Sequence, residues 1–478
     1  MARKAWAEDA SLRFRGREAL DTNPHRGFWN SVRERLERHP IAHLIALYVL
    51  CVAIFLLAVP LPRVDGQLVG SDGTYYYAYL PTILIDHDLD FTNQYHKLIL
   101  PTPESRPDLR IDNSSNKYAI GSALLWVPFF LIGHAIAIGM SASGLSVALD
   151  GMGYVYQITT LLGSLTYGFA GILLVYRSCR RFFSASSSAS AAILIWLATN
   201  LIYYMIAEPS MSHACSFFAV ALFLELWLRF RPLPHFRQWI LLGIAAGLVA
   251  LVRLQDATWL ALPFMDTLLT LRGKRKAGWE RQIGGFICFG IAALITFVPQ
   301  MAVWQSLNGS PVRAGYVRSA EIFHWLAPQI LMVLFSFNHG LFAWHPVLLF
   351  ATVGLIVLYR KDRLLPVLLG LMFAVQLYII GAWYAWYGGD AFGGRMLISS
   401  LPALALGLAA LVDWAAERKA LPAVGVLSCI LIMWNALFFA QYRFGYIPQN
   451  TAISLYEMTL GKLSMLKDMA GHIHAMLR

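Results

Sequence analysis

The side chains of this chain that could do chemistry are few, and they fall into short polar clusters. The first is Gly70-Ser71-Asp72-Gly73-Thr74-Tyr75-Tyr76-Tyr77, where one carboxylate stands beside a flexible glycine and ahead of a run of aromatic rings. Asp72 is open to two uses there. It can close an Asx turn and cap the following helix, or it can face a cavity at the membrane interface. Tyr75 and Tyr76 fit either an interfacial aromatic belt or the wall of a ligand site. Asp86-His87-Asp88-Leu89-Asp90 brings together acids that suit a divalent cation or a solvated loop. Glu208-Pro209-Ser210-Met211-Ser212-His213 keeps an acid and an imidazole in one short turn; helix capping explains the serines better than His213. Arg253 and Asp256 interrupt apolar sequence, where a charge marks function or a mutual ion pair on one helix face. Asn338-His339-Gly340, Trp344-His345 and Tyr387-Gly388-Gly389-Asp390-Ala391-Phe392-Gly393-Gly394-Arg395 complete the set. In the last of these, glycines permit tight backbone and Arg395 offers a planar fork for a phosphate, or else a snorkelling helix-end charge. Lys117, Arg313 and Arg318 add cations in two longer polar stretches.

What must position these clusters is a set of apolar helices. Of 478 residues, 58% are hydrophobic and 14% charged, a balance that excludes a water-soluble fold of this length. The formal net charge of +11 comes from basic tracts flanking apolar blocks, which fits topology signals and anionic lipid head groups and not nucleic acid. Five cysteines without a CxxC pair indicate neither a metal cluster nor a disulfide framework. Stretches of roughly 20 apolar residues, enough to cross a bilayer, lie at 41–60, 151–176, 186–205, 213–230, 238–255, 257–271, 283–303, 341–360, 364–385, 397–416 and 421–440. The expectation is therefore an all-α integral membrane bundle of about eleven spanning helices.

Lys/Arg counting puts the connectors 177–181, 229–237, 272–281, 360–363 and 417–419 in the cytoplasm. Alternation then requires 119–140 to lie in, or dip into, the outer interface, and 326–337 to be a partial helix entering from outside. The chain divides into a basic cytoplasmic arm (1–40), a transmembrane domain (41–440) and an outer-face tail (441–478). Two long outer loops, 61–118 and 304–328, hold much of the polar chemistry.

An acid in the first outer loop of a multi-helix chain resembles the C-type (GT-C) membrane glycosyltransferases, which use polyprenyl-phosphate sugars. Ser336-Phe337-Asn338-His339-Gly340-Leu341-Phe342 with His345-Pro346-Val347, and Gly388-Gly389-Asp390-Ala391-Phe392-Gly393-Gly394-Arg395, are similar to motifs of bacterial members. The resemblance implies a GT-C-type bundle with juxtamembrane helices in the outer loops, 119–140 among them. It implies Asp72 as catalytic base and a lipid phosphate held by Arg395 and Arg253, with His213, His339, Arg313, Arg318 and Lys117 as further candidates. Tyr75, Tyr76, Trp344, His345, Tyr387 and Asp390 then form the sugar and acceptor cavity.

Many members place a second acid next to the first. Here Gly73 follows Asp72, which leaves Asp88, Asp90 or Glu208 as its partner. The implied reaction is an inverting transfer to an acceptor hydroxyl on a lipid, cell-surface glycan or protein, at the periplasmic face of a bacterial inner membrane. No cofactor is required, and a divalent cation is compatible. An O-antigen ligase or polymerase, or a transporter of lipid-linked sugars, is the alternative.

Overall fold

A computed structural model describes residues 27–58, 68–99, 116–272, 277–315 and 321–476. All regular structure in them is helical apart from one isolated bridge between Phe323 and Trp383. The protein is an all-α, multi-pass membrane protein.

The chain enters through α1 (Phe28–Arg38) and α2 (Pro40–Ala58). The short α3 (Gly73–Pro81) follows, then α4 (Gly121–Ala142), α5 (Tyr154–Cys179), α6 (Ala185–Leu197) and α7 (His213–Phe230). After α8 (Phe236–Val252), α9 (Ala261–Leu271) and α10 (Ala277–Asn308) come α11 (Val347–Leu358), α12 (Leu365–Ala382), α13 (Leu401–Glu417) and α14 (Leu421–Arg443). Eight helices are long and apolar enough to cross a membrane, and α6, α8 and α11 are shorter apolar helices.

Three expected spans are broken, each for a local reason. The stretch 186–205 stops at Leu197, and Asn435 of α14 donates to the freed carbonyls of Leu197 and Thr199 at 2.9 and 2.8 Å. The stretch 341–360 is interrupted at His345, whose backbone is driven out of the helical region by the following Pro346. The stretch 257–271 opens as a 3₁₀ turn after Arg253 takes an extended conformation, leaving only the 11 residues of α9 as α-helix. A buried carbonyl freed in apolar surroundings needs a new donor, which is what Asn435 supplies.

α4 answers to the segment expected to lie at the interface. It is long and apolar enough to cross, yet it runs antiparallel along the first half of α5, with Gly133 against Tyr156 and Thr159 and His134 bonded to the Tyr156 hydroxyl at 2.7 Å. The loop after it doubles back, so that Gly151 packs on Phe130 of α4 itself and on Pro81 of α3. Its carbonyl accepts from the Tyr77 hydroxyl at 2.7 Å.

The basic connectors gather at the opposite end of the bundle. Arg181 pairs with Glu225 at 2.5 Å, Arg231 with both Asp266 and Asp362 at 3.0 and 2.9 Å, and Lys361 with Asp413 at 3.9 Å. α1 docks there too: the Glu37 carboxylate accepts from the first amides of α6, Ala185 and Ser186, and Trp29 lies on Gly425 of α14. Those amide bonds hold the Glu37 carboxyl below the usual range despite the opposing effect of burial, which is the largest single influence. A carboxylate at a helix N-terminus is also favoured by the helix dipole.

α11 and α13 meet closely enough to require glycine. A Cβ on Gly407 would lie 2.2 Å from the Ala351 carbonyl oxygen, and one on Gly354 would lie 2.0 Å from that of Gly407. Gly407→Val is therefore expected to lower the thermal midpoint in detergent, at a cost of about 1–3 kcal/mol or more. Gly370→Ala, at a position with no atom within 4 Å, serves as the matched control; equal midpoints for the two variants would contradict the close packing.

Candidate active site

Asp72 occupies the N-cap position of α3, but its side chain makes no capping hydrogen bond. The turn is closed by backbone instead: Gly73, Thr74 and Tyr75 amides donate to the carbonyls of Gly70, Ser71 and Asp72, with Ser71 at a φ of 56°. The Asx-cap reading is thus corrected, and the carboxylate is left for other partners. The Tyr118 hydroxyl donates to Oδ1 at 2.7 Å, and Arg395 Nη2 donates to Oδ2 at 3.3 Å. The Asp72 side chain is 31% exposed and that of Arg395 10%, so the acid is reachable while the cation is buried.

Arg395 begins the turn that leads into α13. Its Nε and Nη1 are buried and make no hydrogen bond among the described residues. Above it runs the glycine turn, with Gly388 at φ 83°, Gly389 at 69° and Gly393 at 64°, all in the left-handed region. A Cβ on Gly393 would fall 2.1 Å from His345 Nε2, so the imidazole and the turn fit only because that Cβ is missing. The Phe392 amide donates to the Tyr204 hydroxyl at 2.9 Å, fixing the turn to the segment before Glu208.

Glu208 and Tyr204 lie within electrostatic reach of Arg395. The Glu208 turn also abuts Asp72, since a Cβ on Gly73 would overlap Ser210. Behind it, Arg253 Nη1 bonds His213 Nδ1, and Arg253 Nη2 donates to Gln255 Oε1 at 3.1 Å. Because His213 accepts there, its remaining proton sits on Nε2. The expected Arg253 and Asp256 ion pair does not form; Asp256 accepts from Ser216 Oγ at 2.6 Å. Tyr76 is buried between Asp72, Arg253 and Arg395, and its hydroxyl is held in the neutral form chiefly by that burial. Tyr118 stacks on Tyr75 with centroids 5.2 Å apart and leans on Tyr76 at 5.0 Å.

The fold thus brings together Asp72, Glu208, Arg395, Arg253, His213, Tyr75 and Tyr76. Asp88 and Asp90 are not partners of Asp72: they lie beyond α3, where Asp88 accepts from the Asp90 amide and Asp90 from Thr92. Asp86 is likewise engaged by Asn93 and Gln94. These acids stabilise turns, and among the described residues no three His, Cys, Asp or Glu side chains converge as metal ligands.

Trp344 is a core residue and not a cavity wall, stacked on Phe438 at 4.9 Å with its indole donating to the Phe337 carbonyl. His345 is equally buried, behind Gly393. Lys117 reaches Glu321 at 3.5 Å, and Glu321 also accepts from the Trp383 indole at 2.7 Å. Arg313 is exposed in the turn after α10, where its carbonyl accepts from Asn308, and its side chain bonds no site residue. Tyr387 packs on Trp386, and Asp390 is exposed at the tip of the glycine turn. Arg318 lies outside the described residues. Sequence reasoning misses Tyr118 and Tyr204: Tyr118 ends the polar run 112–117 with nothing local to tie its hydroxyl to Asp72, Tyr204 lies in apolar sequence, and only the fold carries them to Asp72 and the glycine turn.

No family model matches the sequence, and no curated protein matches it. Solved structures to which the chain is similar are an Archaeoglobus fulgidus oligosaccharyltransferase with Zn and sulfate (16% identity, 86% of this chain and 54% of that chain, TM-score 0.43) and the same enzyme in the apo form (14%, 84% and 56%, 0.44). Another is the archaeal oligosaccharyltransferase AglB from A. fulgidus in complex with an inhibitory peptide and a dolichol-phosphate (14%, 84% and 55%, 0.41). The chain spans about half the length of each.

His339 borders the site with a φ of 61° and with Nε2 3.0 Å from the Gln449 carbonyl. Burial pushes its imidazole down to about 4. The unfolded chain binds this proton near pH 6.5 and the folded chain only near 4, so the stabilising difference is complete above pH 6.5 and is lost as pH falls toward 4. It amounts to roughly 3 kcal/mol at most. His339→Asn, which tolerates the left-handed backbone, is expected to melt with a shallower pH dependence between 6.5 and 4.5 than wild type; parallel curves would contradict the assignment.

Proposed function

We propose that the protein is a membrane glycosyltransferase that moves a sugar from a polyprenyl-phosphate donor to an acceptor hydroxyl, with Asp72 as general base and inversion at the anomeric carbon. The observation that carries this reading is the arrangement at Asp72. A carboxylate that its own helix does not use is oriented by Tyr118 and set against a buried arginine with two unspent donors.

In the reaction, the acceptor O–H proton passes to the Asp72 carboxylate as the acceptor oxygen attacks the anomeric carbon. The bond from that carbon to the phosphate oxygen breaks, and the lipid phosphate leaves with the electron pair. A phosphate is a competent leaving group, so what the protein contributes is positioning and charge stabilisation. Arg395 Nε and Nη1 are the donors for the developing charge, with Arg253 beside them and His213 neutral between the two. Tyr75 and Tyr76 offer ring faces to the sugar. Glu208 is the second acid, acting on Arg395 and not as a duplicate base.

No cofactor is needed for these steps; a divalent cation, if used, would draw on Asp72 and Glu208. The acceptor is a lipid, a cell-surface glycan or a protein. The positive-inside rule supports a cytoplasmic position for the basic end carrying Arg181, Arg231 and Lys361 and so an outer-face position for Asp72, periplasmic in the bacterial inner membrane that the family resemblance implies.

With purified protein and a panel of radiolabelled polyprenyl-phosphate sugars, Asp72→Asn is expected to lose transfer by about 10²–10⁴-fold while eluting as monodisperse protein. Arg395→Lys, which cannot present a fork, should lose at least about tenfold in kcat/KM. Asp88→Asn should transfer like wild type. Full activity in Asp72→Asn would remove the base and with it this reading.

A further inference from the structure

The end of the bundle opposite Asp72 carries a shallow recess, with a cavity volume of only about 30 Å³ and open to the surface, lined by Phe183, Val357, Arg360, Lys361, Ala410, Asp413, Trp414 and Glu417. It takes no part in the reaction above. Its lining divides by chemistry. Arg360 and Lys361 supply two cations, Asp413 and Glu417 two carboxylates, and Phe183, Val357 and Ala410 an apolar floor.

Most of this charge is available. Among the described residues the side chains of Arg360 and Glu417 make no ion pair or hydrogen bond, and Lys361 is only 3.9 Å from Asp413. Asp413 keeps Oδ1 engaged by Ser187 at 3.0 Å. The indole N–H of Trp414 is buried without an acceptor, while Arg418 covers the ring at 4.1 Å.

We propose that this recess binds the head group of a zwitterionic, amine-bearing phospholipid of the phosphatidylethanolamine type. A phosphate fits Arg360, Lys361 and the Trp414 N–H; a primary ammonium fits Glu417 and the second oxygen of Asp413, both of which accept hydrogen bonds. An anionic glycerol head group would satisfy the cations and leave two carboxylates facing it. A choline head group has no N–H to give them. The occupant is a membrane lipid and not a soluble phosphoester because the recess opens onto the apolar exterior of α11. Val353 and Ile356 there are 45% and 74% exposed and give acyl chains a path along the helix.

The test uses the full chain in nanodiscs of equal parts phosphatidylethanolamine, phosphatidylglycerol and phosphatidylcholine. Lipid retained after detergent extraction is counted by native mass spectrometry. Wild type should retain the ethanolamine lipid about three- to fivefold over its bulk share, as expected for a few exposed charge contacts. Glu417→Gln should lose selectivity against the glycerol lipid while still retaining lipid, and Arg360→Gln with Lys361→Gln should lose retention. All three positions are exposed, so these variants keep the fold, and the sugar-transfer assay reports independently on Asp72. Retention of all lipids at bulk ratio, preference for the glycerol lipid, insensitivity to the variants, or displacement by soluble O-phosphoethanolamine would each overturn the assignment.

Discussion

The contact on which the site depends is the one between Asp72 and Arg395, which are 323 positions apart in the chain and 3.3 Å apart in space. It joins the start of α3 to the turn that opens α13. An arginine buried in an apolar bundle is tolerated only with a compensating charge, so the position of Arg395 is dictated by the acids around it. Asp72 in turn is free to be that acid because the backbone of residues 70–75 closes its own turn. The glycine run 388–394 serves the same end: left-handed backbone folds the chain over the guanidinium, and Tyr204 and His345 brace it from either side.

At the other end, the ionic contacts are shared rather than isolated. Arg231 serves two carboxylates, and Glu225 accepts from both Arg181 and Ser178. Breaking one such buried pair leaves an uncompensated charge, which costs far more than the pair contributes. The bundle therefore has charge at both ends and apolar packing between them, with Gly354 and Gly407 letting α11 and α13 touch through backbone.

Much of this was legible in the residues. Arg253 stands out as a charge interrupting apolar sequence, and Asp72, Glu208 and Arg395 as ionisable members of short polar or glycine-rich clusters, and the fold brings them to one place. The basic connectors sorted to one end as their charge foretold. Other features were out of reach for physical reasons. Tyr118 sits one residue after Lys117, and nothing local says that its hydroxyl reaches back 46 positions to Asp72. Asp88 and Asp90 have the right chemistry, but turn amides and Thr92 claim their oxygens. Trp344 and His345 read as wall residues by type, whereas Pro346 breaks the helix and turns both inward. The spans also failed where a side chain replaced the helix's own hydrogen bonds, as Asn435 does for Leu197 and Thr199.

On the proposed reading, the pairing of Asp72 with Arg395 bears on how a base and a phosphate ligand share one small space. Arg395 spends one nitrogen on Asp72 and keeps two in reserve. An arriving phosphate meets those two donors without breaking the Asp72 contact, since a guanidinium presents five N–H groups in a fixed plane. The added negative charge offsets what Asp72 and Glu208 were balancing alone, and so loosens the hold of Arg395 on the carboxylate. On the proposed reading, Arg395 both binds the leaving group and holds the base in place, and a lysine at 395, a point charge without the fork, would separate the two tasks.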